Sequence, residues 1–274
     1  MTCNSPLYCD NNPYEIEAML ATEGKYIGSV STIYRVLGSV DAVHHRHNSA
    51  VGRHHGKPPE RIATSSNEVW CWDITWMAQS VRGLFYYAYV ILDIYDRFIV
   101  GWAIHDKEDV AHSQALFAET MQKHQAKGVA VHSDNGHPMK GITLMAFFRQ
   151  VEVKVSRSRP RTSNDNAYIE SWFKTMKYKP SYPSHFASIE EAREWMAAFV
   201  DWYNNDHMHS RIGYVTPQQM RTGEAETIFK QRNATMQQAY EQHPERWGSR
   251  VVKQWKKVEQ VVLNPNPQEM AENR

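Results

Sequence analysis

Three carboxylates and a basic helix are the groups in this chain whose types and spacing could do chemistry. The stretch 163–177, Ser-Asn-Asp-Asn-Ala-Tyr-Ile-Glu-Ser-Trp-Phe-Lys-Thr-Met-Lys, sets Asn166, Glu170, Lys174 and Lys177 at i, i+4, i+8 and i+11. At helical spacing those four share one face, with Ile169, Trp172, Phe173 and Met176 on the opposite, apolar one. An acid, an amide and two ammonium groups then lie along a single polar ridge. Taken alone, the ridge reads equally as a solvated face with an i,i+4 Glu/Lys pair. Two aspartates argue otherwise. Asp73 closes a strand read over 69–75 from the alternation Trp70, Trp72, Ile74, and Asp134 follows a short apolar strand read over 129–133. Positions that follow neighbouring parallel strands meet at the carboxyl edge of an α/β sheet, where such proteins carry their sites. Glu170, on the helix after the next strand, can reach the same edge.

Three carboxylates converging there repel unless cations neutralise them, which makes a metal site the economical reading. Two Mg2+ ions bring four positive charges against three negative ones, and the surplus suits a phosphodiester. Such ions, about 3.5–4 Å apart, stabilise the attacking and leaving oxygens of an in-line displacement at phosphorus. Asp73 would bridge them, Asp134 would hold one and Glu170 the other. Magnesium fits because the ligands are hard oxygens and nothing soft is at hand; Mn2+ can substitute. Each acid by itself also reads as a turn or cap aspartate, or a surface glutamate.

The remaining composition narrows the partners. With 274 residues, 42% of them hydrophobic and 22% charged, the chain can bury a proper core. Its longest apolar run, 84–92, has strand length, which argues against a membrane span, and no secretion signal opens the sequence. Three cysteines, Cys3, Cys9 and Cys71, make no disulfide framework and suit a reducing cytoplasm. The net charge of +1 conceals local patches: 149–179 holds eight Lys/Arg, among them Arg157, Arg159 and Arg161 on the loop before the ridge helix, against three acids. Residues 42–62 hold four Lys/Arg and five histidines against Glu60 alone. Such patches are the footprint expected of a phosphate-bearing partner, although solvated loops share it.

The positioning elements follow in order. Residues 1–40 read as two short helices around a glycine-containing turn, the first opened by Asn12, Pro13 and Glu15 and buried through Ile16, Met19 and Leu20, the second buried through Val30, Ile33, Tyr34 and Leu37. This is either a helix-turn-helix presenting Ser31, Thr32 and Arg35 to DNA, or a plain helical hairpin. Residues 41–66 read as a basic linker lying along phosphates rather than as a zinc site, since no paired cysteines stand near its histidines. From residue 67, strands are read over 69–75, 85–93, 98–104, 129–133 and 151–156, with helices over 111–124 (buried through Ala115, Leu116 and Thr120), 142–150 and 165–178. That order gives an antiparallel hairpin attached to parallel strands, a mixed sheet with helices on its faces. A helix capped by Ser188 and Glu191, another starting at Thr216-Pro217, a tail helix over 224–242 and a β-like segment over 250–263 complete the chain.

The spacing of the acids now matters. Asp134 and Glu170 have 35 residues between them, and Asp73 precedes Asp134 by 61. With Trp-Asp-Ile-Thr at 72–75, His-Ser-Asp-Asn-Gly at 132–136 and Asn-Asp-Asn-Ala-Tyr-Ile-Glu-Ser-Trp-Phe-Lys-Thr-Met-Lys at 164–177, the chain resembles bacterial insertion-sequence transposases with a retroviral-integrase-type DDE catalytic core. The resemblance runs from about residue 66 to 222.

It implies an α/β fold with a ribonuclease-H-like mixed five-stranded sheet flanked by helices, a small N-terminal helical DNA-binding unit (1–40), the linker (41–66), the core (67–222) and a C-terminal helical/β extension (223–274). It implies a polynucleotidyl transferase with Asp73, Asp134 and Glu170 as catalytic metal ligands. A metal-activated water would cut the element's terminal phosphodiester, and the freed 3′-hydroxyl would attack another strand. It implies Lys174, Lys177, Arg157, Arg159, Arg161 and Asn166 as DNA contacts in the core. The partners implied are terminal inverted repeats and target DNA, a second copy at least when bound to DNA, and an upstream-frame product, with the protein on the bacterial nucleoid in the cytoplasm. A non-catalytic DNA-binding relative and a ribonuclease-H-type nuclease are the alternatives. The chain lacks the His-His-Cys-Cys zinc domain of retroviral integrases, places Met208 where relatives usually carry Arg or Lys, and Asp96 where a serine is common.

Overall fold

In the computed structural model the chain divides into two compact units, Met1–His55 and Gly56–Arg274. The structure describes residues 3, 5, 7, 8, 11–39, 58–159 and 163–265.

In the first unit, helix α1 (Pro13–Thr22) opens on a complete capping box. Asn12 Oδ1 accepts from the Tyr14 and Glu15 amides, both at 3.0 Å, and Glu15 Oε2 accepts from the Asn12 amide at 2.8 Å. Caps of this kind contribute about 0.5–2 kcal/mol. Helix α2 (Val30–Ser39) packs Ile33 and Leu37 against Ile16 and Leu20, with Cys3 and Tyr8 completing this small core. Met19, Val30 and Tyr34 are only partly buried. Ser31 and Arg35 are exposed, while the half-buried Thr32 shares a hydroxyl contact of 3.2 Å with Ser29 at the start of the helix.

In the second unit the strands are β1 (Arg61–Ala63), β2 (Val69–Ala78), β3 (Phe85–Asp93), β4 (Ile99–His105), β5 (Ala130–Ser133), β6 (Lys154–Arg157) and β7 (Val261–Leu263). The main sheet runs β4-β3-β2-β5-β6, with β3 antiparallel to β2 and β4, and β5 parallel to β2 and β6. This is the ribonuclease-H-like arrangement that the resemblance implied. β1 and β7 form a separate antiparallel pair. A strand therefore lies at 61–63, inside the stretch read as linker, and of the β-like 250–263 only the last three residues are strand.

Central β2 is buried on both faces because its alternation is apolar on both. Val69 and Cys71 belong to the core that α5 (Ala167–Lys177) and α6 (Ile189–Asn205) cover through Ile169, Trp172, Met176 and Phe199. Trp70 and Trp72 belong to the opposite core, covered by α3 (Val110–Lys123) and α4 (Ile142–Gln150) through Leu116, Phe117, Leu144 and Phe148. Deleting either indole would cost about 3–5 kcal/mol. Helix α3 buries Phe117 and leaves Ala115 exposed, contrary to the expected stripe, because the larger side chain takes the core position. The helix approaches β4 so closely that a Cβ on Gly101 would collide with Thr120 Oγ1.

The β3–β4 turn is clamped from the C-terminal side by α7 (Pro217–Thr222), which α8 (Glu224–Gln242) follows. Asp96, where a serine was expected, accepts from the Phe98 amide at 2.9 Å, the Ser66 hydroxyl at 2.7 Å and Arg221 Nη1 at 2.7 Å. Asp93 accepts from the Asn67 amide at 2.6 Å and meets the same Arg221 at 3.5 Å. Both carboxylates are fully buried. One guanidinium thus bridges two buried acids, and losing it strands both. Arg221→Met is expected to destabilise the protein by about 3–5 kcal/mol, read as a drop in the urea midpoint at unchanged slope. Arg82→Met, at an exposed position, serves as the control and should stay within about 0.5 kcal/mol.

Candidate active site

Strand pairing brings the two aspartates together. The parallel register joins Val69 to Ala130, Trp70 to Val131 and Cys71 to His132; continued by two residues, it sets Asp134 beside Asp73. Asp73 does not close its strand, as the sequence suggested. It sits inside β2, paired with Val90 of β3, and the edge at the site is the end of β5 at Ser133. Parity puts Asp73 on the same face as Val69 and Cys71, the face that α5 covers.

Local bonds fix each group. Asp73 Oδ1 accepts from the Ile74 amide at 2.8 Å. Asp134 Oδ1 accepts from the Gly136 amide at 2.7 Å, and a Cβ at Gly136 would lie 3.1 Å from that oxygen and 2.8 Å from Met139 Sδ, so a larger residue there would displace one or both side chains. Behind them the buried His132 ring bridges the hydroxyls of Ser156 at 2.7 Å and Ser158 at 3.2 Å, tying β5 to β6. Burial holds its imidazole down to about 4, so it serves as a neutral brace. Asn135 Nδ2 donates to the Ser158 carbonyl alongside.

Helix α5 is positioned at its start. Arg159 clasps Asp165 with side-chain bonds of 3.0 and 2.9 Å and a backbone bond of 2.8 Å. Asn166, 2% exposed, directs Nδ2 to the Trp72 carbonyl at 3.4 Å, one residue before Asp73. The apolar stripe Ile169, Trp172, Phe173, Met176 is buried as the periodicity predicted. That rotation leaves Glu170 partly exposed and Lys174 and Lys177 exposed.

The electrostatics register the proximity. Burial, then Asp134, and more weakly Glu170 and Glu108 push the Asp73 carboxyl up to about 7, against the Ile74 amide bond. Glu170 is raised by burial and by Asp134, against Lys174. Lys177 is lowered by partial desolvation, with Asp73 opposing. Among the described residues no ion pair engages Asp73, Asp134 or Glu170, and no three His, Cys, Asp or Glu side chains gather closely enough to hold one metal ion. The acids are neighbours without a common focus. Their chemistry, hard oxygen donors with uncompensated charge, fits a divalent cation.

Several expected DNA contacts are placed elsewhere. Arg159 is engaged with Asp165, and Arg157 turns inward, its Nη2 3.2 Å from the Met139 carbonyl and 3.0 Å from Met145 Sδ. Asn166 is a buried positioning group because its amide joins the helix to β2. Arg161 lies outside the described residues. Ser31, Thr32 and Arg35 belong to the first unit. Glu108 was not foreseen: it receives a 3.3 Å bond from the Trp76 indole and influences Asp73, and no motif marks it.

Because Asp73 has its proton affinity raised in the folded state, its ionisation penalises folding progressively as pH rises from about 4 to 7. Asp73→Asn is therefore expected to stabilise the cation-free protein by about 2–4 kcal/mol at pH 8 and to leave stability unchanged below pH 4, measured by urea unfolding. Equal midpoints at pH 8 would contradict the raised proton affinity of Asp73.

Residues 63–163 and 151–217 match two family profiles, each described as an integrase core domain. The transposase for insertion sequence element IS904 of Lactococcus lactis is 31% identical over 157 residues, covering 57% of this chain and 61% of that protein. Transposase InsF for insertion sequence IS3A of Escherichia coli is 27% identical over 159 residues, 57% of this chain and 54% of its own length. The chain thus spans little more than half the length of the curated relatives it matches. Among solved structures, the catalytic core of BIV integrase aligns with 14% identity and a TM-score of 0.45 over 60% of this chain and 99% of that one. Through residues 63–217 the chain therefore carries an integrase core domain, and over that core it is similar to transposases of bacterial insertion sequences.

Proposed function

We propose that the chain is a DNA transposase that cuts phosphodiesters at the ends of its element and joins the freed 3′-hydroxyls to new DNA. The observation that carries this reading is the set of mutually repelling, unpaired carboxylates Asp73, Asp134 and Glu170 beside exposed Lys174 and Lys177. Asp73, Asp134 and Glu170 would hold two Mg2+ ions, or Mn2+ in their place, and the ions would supply Lewis-acid polarisation of the phosphodiester and of the attacking hydroxyl. The protein's own groups do the positioning. The Gly136 amide orients Asp134, the Asn166 and Asp165 bonds fix where Glu170 projects, and Lys174 and Lys177 hold strand phosphates beside the acids.

The first unit suits the terminal inverted repeats, with Ser31, Thr32 and Arg35 of α2 presented to DNA. Joining two ends requires at least two copies on DNA, and an upstream-frame product would complete the DNA-binding region. Among the described residues no helix is long and apolar enough to cross a membrane. The reading places the protein on the bacterial nucleoid in the cytoplasm.

The test is incubation of the full chain with labelled element ends and Mg2+ or Mn2+. Nicked ends and products longer than the substrate are expected. Glu170→Gln should lower both by at least about 10²-fold without lowering the unfolding midpoint. Cleavage without elongated products would indicate a nuclease, and undiminished activity in Glu170→Gln would remove the acid from the mechanism. Lys177→Ala should weaken DNA binding across all sequences and reduce the slope of log affinity against log salt by about one.

A further inference from the structure

Arg97 occupies the tight β3–β4 turn with φ of 66°, a left-handed conformation that costs a residue bearing a side chain about 1–3 kcal/mol. It is 6% exposed, and its Nε and Nη1 reach no hydrogen-bond partner among the described residues. The acids nearest in sequence make no ion pair with it among the described residues; Asp93 and Asp96 both pair with Arg221. Its guanidinium carbon instead lies 4.3 Å from the centre of the Tyr168 ring. A cation this buried is unfavourable unless an anion meets it.

Arg97 lines a cavity of about 460 Å³ that also includes His209, Arg211 and Ser171 and is walled by Val261 and Val262 of β7. Among the described residues no Asp or Glu lines it. Ser171 is about 100° round α5 from Glu170, so the cavity opens on a different side of the helix from the carboxylate cluster. His209 Nδ1 accepts from the Arg211 amide at 3.2 Å, which puts the ring proton on Nε2 as a donor. Its imidazole is held down to about 4 by burial, with the positive charge of Arg97 and Arg211 adding, so the ring enters neutral and donating. Two guanidiniums, an imidazole N–H and a hydroxyl surround a space with no countercharge.

We propose that this cavity is a phosphate site, with Arg97 and Arg211 as its charged donors and His209 and Ser171 completing the shell. Its volume exceeds what a bare phosphate fills and lies in the range of small-molecule sites, so the phosphate enters with a sugar-sized group attached. Two sources share that chemistry: a backbone phosphate of bound DNA, and a free phosphate or mononucleotide. The site requires neither the carboxylates nor a cation and stands or falls separately from strand transfer.

The test is thermal unfolding of the full chain titrated with inorganic phosphate at ionic strength matched with chloride. The wild-type midpoint should rise saturably with phosphate. Arg97→Met should abolish that rise while its midpoint in chloride equals or exceeds that of the wild type, since an unpaired buried charge has been removed. Should Arg97→Met not fold, Arg211→Gln at the exposed rim should weaken phosphate binding at least tenfold, and Glu170→Gln should retain the full response. Single-stranded oligonucleotide binding then separates the sources. A salt slope reduced by about one in the Arg97 or Arg211 variant identifies a DNA phosphate, and an unchanged slope identifies the free ligand. No rise beyond chloride in the wild type, or the same rise in the wild type, Arg97→Met and Arg211→Gln, would overturn the assignment.

Discussion

Everything at the carboxylate cluster depends on the parallel pairing of β2 with β5. Because side chains alternate along a strand, a slip of one residue would carry Asp73 to the Trp70/Trp72 face and away from α5. The two indoles hold that register: both are fully buried against α3 and α4, and neither fits the opposite face, where Ile169, Trp172 and Met176 already fill the space beneath α5. The acid sits within an apolar strand because its neighbours leave it no other orientation. On the partner strand, the His132 brace to Ser156 and Ser158 holds β5 where it stops, so that Asp134 emerges beside Asp73.

Holding these groups together has a thermodynamic cost. Asp73 is pushed up to about 7 by burial and by its fellow acids, and each charge it carries at neutral pH opposes folding. The compensation comes from a distance. It lies in the apolar face of α5, in the Arg159 clasp on Asp165, and in the Arg221 clamp that secures the hairpin of which β3 forms one arm. Sites that give up stability for function in this way rely on a surrounding fold with stability to spare.

The legibility of these features in sequence follows the range of the interactions involved. The Asn12 capping box, the bounds of β3, α4 and α8, and the buried stripe of α5 were all readable, because each is set by contacts within a few residues. The three acids were readable as a set through their order and spacing. What depended on distant partners was not. The β1–β7 pair joins residues some two hundred positions apart, the rotation of α3 that buries Phe117 in place of Ala115 is decided by the sheet beneath it, and Glu108 approaches Asp73 only because the β4–α3 connection folds back toward β2. Asp96 gained its explanation only when Arg221, 125 residues away, was seen to meet it.

The same distinction governs the basic residues. The 149–179 stretch stood out by its count of cations, yet counting cannot distinguish a charge already met within the fold from one left for a partner. Arg159 is met by Asp165, and Arg157 is turned against the Met139 carbonyl; Arg149, Lys154, Lys174 and Lys177 are the exposed cations that stretch presents to solvent. Arg97, outside the stretch and beside two aspartates in sequence, would pass in a charge tally as locally neutralised. Its neighbours both pair with Arg221, and its own guanidinium is buried without a hydrogen-bond partner on Nε or Nη1 among the described residues. The electrostatic footprint of a phosphate-binding surface is therefore drawn by unmet charges, and unmet charge is a property of the folded chain.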